Sequence, residues 1–202
     1  MATLMGEEEL RLLAPLGYHI ALRIGFAFPL EETNSFPSDW VEHYRQQRLM
    51  MFDPVMRWAY THTGAIRWSA LEDDGPRKVL AQARSHGLAY GATVSVTDDT
   101  GDGQRSFGSF VRADREFTDL ELNLLRAFLL RRHAETAPPT NLTRAELEAL
   151  RMIKDGKRLK EIAFDLGVTE GAVKQRLKNA KMKLDAKTST QAAALANQYG
   201  LL

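Results

Sequence analysis

The chain contains no cysteine. Disulfides and thiolate metal sites are therefore excluded, and nothing ties the protein to an oxidising compartment. No apolar run approaches the roughly 18 residues of a membrane-spanning helix, so no membrane partner is expected. The N-terminus, MATLMGEEELRLL, is acidic where a secretory signal is basic, and a cytoplasmic location follows as an expectation. The five histidines, at 19, 43, 62, 86 and 133, lack metal-ligand spacing, and no serine, histidine and acid group stands out. Neither an enzyme, a cofactor nor a metal site is expected. Net charge is nearly absent too, at +1 from 27 basic and 26 acidic residues. That balance hides an asymmetry: from Leu142 onward twelve Lys or Arg stand against seven Asp or Glu, leaving fifteen against nineteen before it. Basic charge gathered in the last third is what phosphate binding requires.

What is present is an ordinary globular composition, 44% hydrophobic and 26% charged, over 202 residues, enough for one large or two small domains. The most informative stretch is 160–184, KEIAFDLGVTEGAVKQRLKNAKMKL. Ile162, Ala163 and Leu166 share one face of a short helix. Gly167 stands where a left-handed residue ends such a helix, and Thr169 is placed to cap the next. In that second helix Val173, Leu177, Ala180 and Leu184 make one apolar stripe, while Lys174, Gln175, Lys178 and Lys181 face away from it. Either this is an ordinary surface helix with a solvated lysine face, or it is the reading helix of a helix–turn–helix unit.

In the first two thirds, residues 7–13 predict a helix, 18–28 a strand, and Pro29 with EETNSFP a turn or loop. Helices are predicted at 39–48 with Ser38 as N-cap, at 55–61 opened by Pro54, and at 77–85 stopped by Gly87. Strands are predicted at 65–68, 92–96 and 106–112, the last two joined by the Gly- and Asp-rich turn TDDTGDGQR. Residues 118–132 predict a long amphipathic helix carrying Leu120, Leu122, Leu124, Leu125 and Phe128. HAETAPPT follows as a linker. Beyond it no strand signal remains. Thr143 and Glu146 form a capping box opening a helix over 144–154, with Gly156 as its stop, and a last helix covers 189–198. The expected fold class is an α/β sensor domain, an antiparallel sheet between helices, followed by an all-α four-helix helix–turn–helix domain. The boundaries expected are 1–133, a linker at 134–141, and 142–202.

The pattern LTRAELEALRMIKDGKRLKEIAFDLGVTEGAVKQRLKNAKMKL resembles the DNA-binding domain of the LuxR family of bacterial transcription regulators over its whole length. The resemblance implies a four-helix module whose third helix enters the major groove and whose fourth pairs with a partner subunit. Carried over, Lys174 and Lys178 match DNA-contacting positions and Thr169 would bond a phosphate, with Gln175 and Lys181 on the same face. Upstream, Trp40-x3-Tyr44-x8-Asp53-Pro54-x13-Trp68-Ser69, followed by Gly91, resembles the autoinducer-binding domain of quorum-sensing LuxR-type receptors, with about twenty N-terminal residues typical of that family missing. The ligand so implied is an acyl-homoserine lactone or a related small molecule. Asp53 would accept from its amide N–H, Trp40 would donate to the lactone carbonyl, Trp68 would wall the ring and Tyr44 would line the acyl region. Met50, Met51, Phe52, Val55 and Leu88 are candidates for apolar lining. Taken singly, each of these residues reads as core packing, and Asp53 as a helix cap.

Two departures stand out. Phe36 occupies a position where the family has a donating tyrosine, and Val111, with Ser109 two residues away, occupies that of a serine or threonine. Without those donors a standard ligand would bury an unpaired carbonyl, at about 1–3 kcal/mol. Weak binding, a non-standard ligand or a filled core would result. The functions left open are a homodimeric regulator reading an inverted repeat in double-stranded DNA, with or without ligand, and an antagonist forming inactive heterodimers with another LuxR-type regulator.

Overall fold

The computed structural model describes residues 5–25, 28–98 and 104–202. The chain divides into two compact units, Met1–Thr136 and Ala137–Leu202.

In the first unit, helix α1 (Glu7–Leu13) leads into strands β1 (Tyr18–Ile24) and β2 (Pro29–Asn34). Helices α2 (Ser38–Gln46) and α3 (Pro54–Thr61) follow, then β3 (Gly64–Arg67), α4 (Val79–Ser85), β4 (Tyr90–Thr97), β5 (Arg105–Arg112) and α5 (Asp119–Glu135). The five described strands form one antiparallel sheet in the order β2-β1-β5-β4-β3. Alternation along each strand sorts its side chains between two faces. Tyr18, Ile20, Leu22, Val94, Val96 and Phe110 face the core made with α1 and α5. Ala21, Phe107, Ser109, Val111 and Thr93 face the side covered by α2, α3 and α4, where Trp40, Val55, Leu80 and Leu88 are buried.

The expected antiparallel sheet with helices on both faces is present; several details differ. Residues 29–34, expected as loop, are β2: all but the first two of its residues are exposed, so an edge strand with no apolar alternation is held by its backbone pairing to β1. Trp68 is not a strand residue but opens a 3₁₀ turn, Trp68–Ala70, which lets its ring fold back over β4. Pro37, rather than Ser38, occupies the cap position of α2. Helix α5 is not amphipathic: Leu122, Leu125, Phe128 and Leu129 are buried, but Leu120, Leu124 and Leu130 are exposed on the other side. It runs on through Glu135, taking in residues expected in the linker. The hairpin turn expected between β4 and β5 falls largely at 99–103, outside the described residues, as do 26 and 27 of the first expected strand.

The second unit is α6 (Arg144–Lys154), α7 (Leu159–Asp165), α8 (Glu170–Lys183) and α9 (Ser189–Gln198). The capping box is formed: the Thr143 backbone N–H donates to Glu146 at 2.8 Å and the Glu146 N–H to the Thr143 hydroxyl at 3.3 Å. Glu146 also accepts two bonds from Lys183 Nζ, at 2.8 and 2.9 Å, joining the start of α6 to the end of α8. Gly167 ends α7 at φ +62°, a conformation that glycine adopts without strain. Val173, Leu177, Ala180 and Leu184 are all buried, as their spacing predicts.

Candidate functional site

The helices α2, α3 and α4 stand off the sheet and leave a cavity of about 240 Å³. Its apolar walls include Val55, Met56, Val79 and Leu80, with Met50 and Tyr60 half-exposed at its edge. Phe36, Trp40, Tyr44, Asp53 and Trp68 all line it. Residues spread over 33 positions of sequence thus converge on one space. Val111 does not belong with them. It is fully buried on the same face of β5, behind the lining, and Ser109, one alternation closer, reaches the cavity. Leu88, fully buried, Met51, 80% exposed, and Phe52 also fall outside the lining.

The polar atoms differ in how far they are already committed. Asp53 caps α3: its Oδ1 accepts from the Val55 N–H at 2.8 Å and its Oδ2 from the Tyr44 hydroxyl at 2.8 Å. Burial pushes the Asp53 carboxyl up from its ordinary range, a shift opposed by the Tyr44 hydroxyl and backbone N–H groups. The same burial, then the facing Asp53 charge, raises Tyr44 well above an ordinary phenol. Capping and site roles are compatible, because each carboxylate oxygen can accept more than one bond. Trp40 is 4% exposed, and no described residue accepts from its indole N–H. Its ring is braced by Tyr44 and His86, centroids 5.6 and 5.3 Å away.

Trp68, by contrast, has spent its donor. Its Nε1 donates to the Thr93 hydroxyl at 2.9 Å, and Thr93 and Ser109 share a bond at 3.0 Å. An indole only donates, so Thr93 is the acceptor there and is free to pass its own proton to Ser109. Ser109 then has a proton to give to a group in the cavity. Sequence reasoning missed this relay because its members meet through the sheet register, Ser109 opposite Thr93, and through the turn that returns Trp68. Gly91 accounts for the flat seat of Trp68: a β-carbon there would collide with the indole.

A serine, a histidine and an acid do come together elsewhere. The His133 Nε2–H donates to Asp98 at 3.0 Å, and its Nδ1 accepts from Ser106 at 2.7 Å. The set is structural. Ser106 is fully buried and accepts from the Arg23 N–H, while the Arg23 guanidinium donates to Asp98 and to the His133 carbonyl, fastening the end of α5 to β1.

In the second unit Thr169 caps α8, accepting from the Ala172 N–H at 3.2 Å. Lys174, Gln175 and Lys178 are exposed on α8, and Lys181 is half-buried. Gln175 donates to Asn179 at 2.8 Å, one turn on. Neither Lys174, Lys178 nor Lys181 has an ion pair or hydrogen bond among the described residues, whereas Lys183 of the same helix is neutralised by Glu146. Cations without partners among the described residues, gathered on one helix face, are a surface available to phosphates.

A cavity under three helices in one unit and a helix–turn–helix in the other make the architecture of a transcription regulator with a sensor domain. Residues 31–136 match the family described as autoinducer binding domain, and residues 140–196 that described as bacterial regulatory proteins, luxR family. The chain is 30% identical to the HTH-type quorum-sensing regulator RhlR of Pseudomonas aeruginosa, over 97% of this chain and 87% of that protein. It is 25% identical to the transcriptional activator protein LuxR of Aliivibrio fischeri, over 84% and 74%. The crystal structure of Escherichia coli SdiA superposes with a TM-score of 0.52 at 26% identity, covering 96% of this chain and 90% of that one. SdiA in complex with octanoyl-rac-glycerol gives 0.53 at 26%, covering 100% and 90%. The chain belongs to the LuxR family of quorum-sensing transcription regulators. Its relatives are regulators rather than enzymes, and they do not favour the antagonist reading.

Proposed function

We propose that the cavity binds an acyl-homoserine lactone or a close neutral analogue and thereby controls a homodimer that reads an inverted repeat in double-stranded DNA, in the cytoplasm. The observation that carries the ligand reading is the Trp40 indole N–H, which has no acceptor among the described residues and stays open to the same apolar cavity as the Asp53 carboxylate. A ligand that fills the cavity shuts this donor off from water, and a donor buried without a partner costs about 1–3 kcal/mol, so the ligand must bring a carbonyl to it. Trp40 donates to the lactone carbonyl, Asp53 accepts from the amide N–H, and Trp68 and Tyr44 wall the ring and the start of the chain. Ser109, fed by Thr93, takes the amide carbonyl in place of Val111. Phe36 contributes only apolar surface. A complex of the structural neighbour SdiA with octanoyl-rac-glycerol supports an acyl ligand with a small polar head.

For the output, Lys174, Lys178 and Lys181 contact phosphates or base edges, Gln175 sits between them, and Thr169 bonds a phosphate beside the N-terminus of α8. The exposed Leu120, Leu124 and Leu130 of α5 support a dimer, since a helix apolar on both sides leaves one side for a second copy. Titration of purified protein with N-octanoyl-homoserine lactone by isothermal calorimetry tests the ligand reading. Saturable binding that weakens at least about tenfold in Trp40→Phe is expected, from a lost donor against a buried carbonyl. Equal binding by the variant, or no binding by the wild type, refutes it.

A further inference from the structure

The head-group contacts leave other polar side chains of the cavity unused, His19 and Asn34 among them. The register sets Asn34 opposite His19, His19 opposite Ser109, and Ser109 opposite Thr93, so these four stand in one row across the sheet. Directly opposed side chains have β-carbons about 4.5–5.5 Å apart. Asn34, His19 and Ser109 all line the cavity. His19 is therefore one strand beyond the hydroxyl that takes the amide carbonyl.

The direction of the hydrogen bond at His19 follows from its partner. Its Nε2 lies 2.8 Å from a Glu32 carboxylate oxygen, which only accepts, so Nε2 carries the proton. In the neutral ring Nδ1 is then an acceptor, and no described group donates to it. The side chain is four-fifths buried, at 20% exposure, and its ring meets Phe107 edge-on at 5.4 Å. Asn34 is complementary. Its Oδ1 accepts from the Phe36 N–H at 3.1 Å, which leaves the amide NH₂ to donate.

We propose that His19, with Asn34 beside it, determines specificity for a hydroxyl on the acyl chain, making 3-hydroxyacyl-homoserine lactones the preferred ligand class. A hydroxyl donates to Nδ1 and accepts from the amide of Asn34. A keto oxygen at the same carbon only accepts and sets its lone pairs against that of Nδ1, and a methylene satisfies neither group. The cross-strand spacing of about 5 Å from Ser109 corresponds to three or four bonds, which separates the amide carbonyl oxygen from a substituent on the third carbon. The inference rests on the cavity being an acyl-homoserine lactone site.

The test is calorimetric binding to the full chain at pH 7.5 of three lactones, N-octanoyl, N-(3-hydroxyoctanoyl) and N-(3-oxooctanoyl). The hydroxy compound is expected to bind about three- to tenfold more tightly than either of the others, the worth of one net hydrogen bond. In His19→Phe, which keeps an aromatic ring beside Phe107, the ratio falls to about one. Equal binding of all three by the wild type, tighter binding of the keto compound, or a preference that survives in His19→Phe overturns the role of His19 and leaves the site reading standing. Failure of all three to bind removes both. The wild-type ranking decides alone if the variant does not fold.

Discussion

Replacing Gly91 by alanine tests how the sensor site is built. Its added β-carbon would fall against Cδ2 and Cε2 of Trp68 and 2.5 Å from Cε3. Carbon atoms in contact stand about 3.5–4.0 Å apart, so the indole must move by at least about 1 Å. Trp68 cannot do so and keep its 2.9 Å bond to Thr93, which is buried together with the Thr93–Ser109 link. Overpacking costs about 1–3 kcal/mol and stranding a buried donor about 1–3 more. A loss of about 2–6 kcal/mol is a large share of the 5–15 typical of a folded domain. Urea unfolding followed by tryptophan fluorescence measures it cleanly, because all three tryptophans, Trp40, Trp58 and Trp68, lie in the first unit. With a slope of about 1–3 kcal/mol per molar, the midpoint should fall by at least about 0.7 M. Thr93→Val, which removes the bond without the collision, should show the smaller part of that loss. A Gly91→Ala midpoint equal to the wild type would mean that Trp68 has room that the packing denies.

Phe36→Tyr restores a phenol at the cavity wall and should tighten N-octanoyl-homoserine lactone binding by about two- to tenfold, the net worth of a hydrogen bond; unchanged affinity would place the amide carbonyl elsewhere. Lys178→Ala should weaken operator binding and lower the salt slope in gel-shift titrations by about 1 if the contact is a phosphate, and unchanged binding would remove Lys178 from the interface. Burial, then the Arg23 charge, lowers the pKa of His133, so the unfolded chain binds its proton more readily than the folded one. The stability so conferred is complete above the ordinary histidine range near 6.5 and is lost as pH falls through it. Urea midpoints should therefore drop between pH 8 and 5.5 more in the wild type than in His133→Gln, and parallel curves would contradict that.

The second unit was open to reading from residue order because its signals are local. The capping box of Thr143 and Glu146, the left-handed Gly167, the cap at Thr169 and the stripe from Val173 to Leu184 each involve residues a turn or two apart. Helix periodicity then assigns Lys174 and Lys178 to the outer face without knowledge of the rest. What sequence could not supply there is the fate of Lys183, as basic as its neighbours but consumed by Glu146, 37 residues earlier.

In the first unit composition marked four strands and most helices, and the resemblance to the autoinducer-binding domain, rather than any residue singly, picked out Trp40, Tyr44, Asp53 and Trp68 as a set, which the fold brings to one cavity. The sequence by itself did not determine β2, because an edge strand of Glu, Thr and Asn is set by backbone pairing that leaves no hydropathy signal. Nor did it place Ser109 in the cavity and Val111 behind it. Both share a face of β5, and only packing against α2, α3 and α4 decides which of the two meets open space. The Trp68–Thr93–Ser109 relay, the row that ends at His19 and Asn34, and the Arg23 network that fastens α5 depend on strand register and on contacts up to 110 residues apart. Tertiary structure decided these, because hydrogen bonding between side chains requires positions in space that spacing along the chain does not carry.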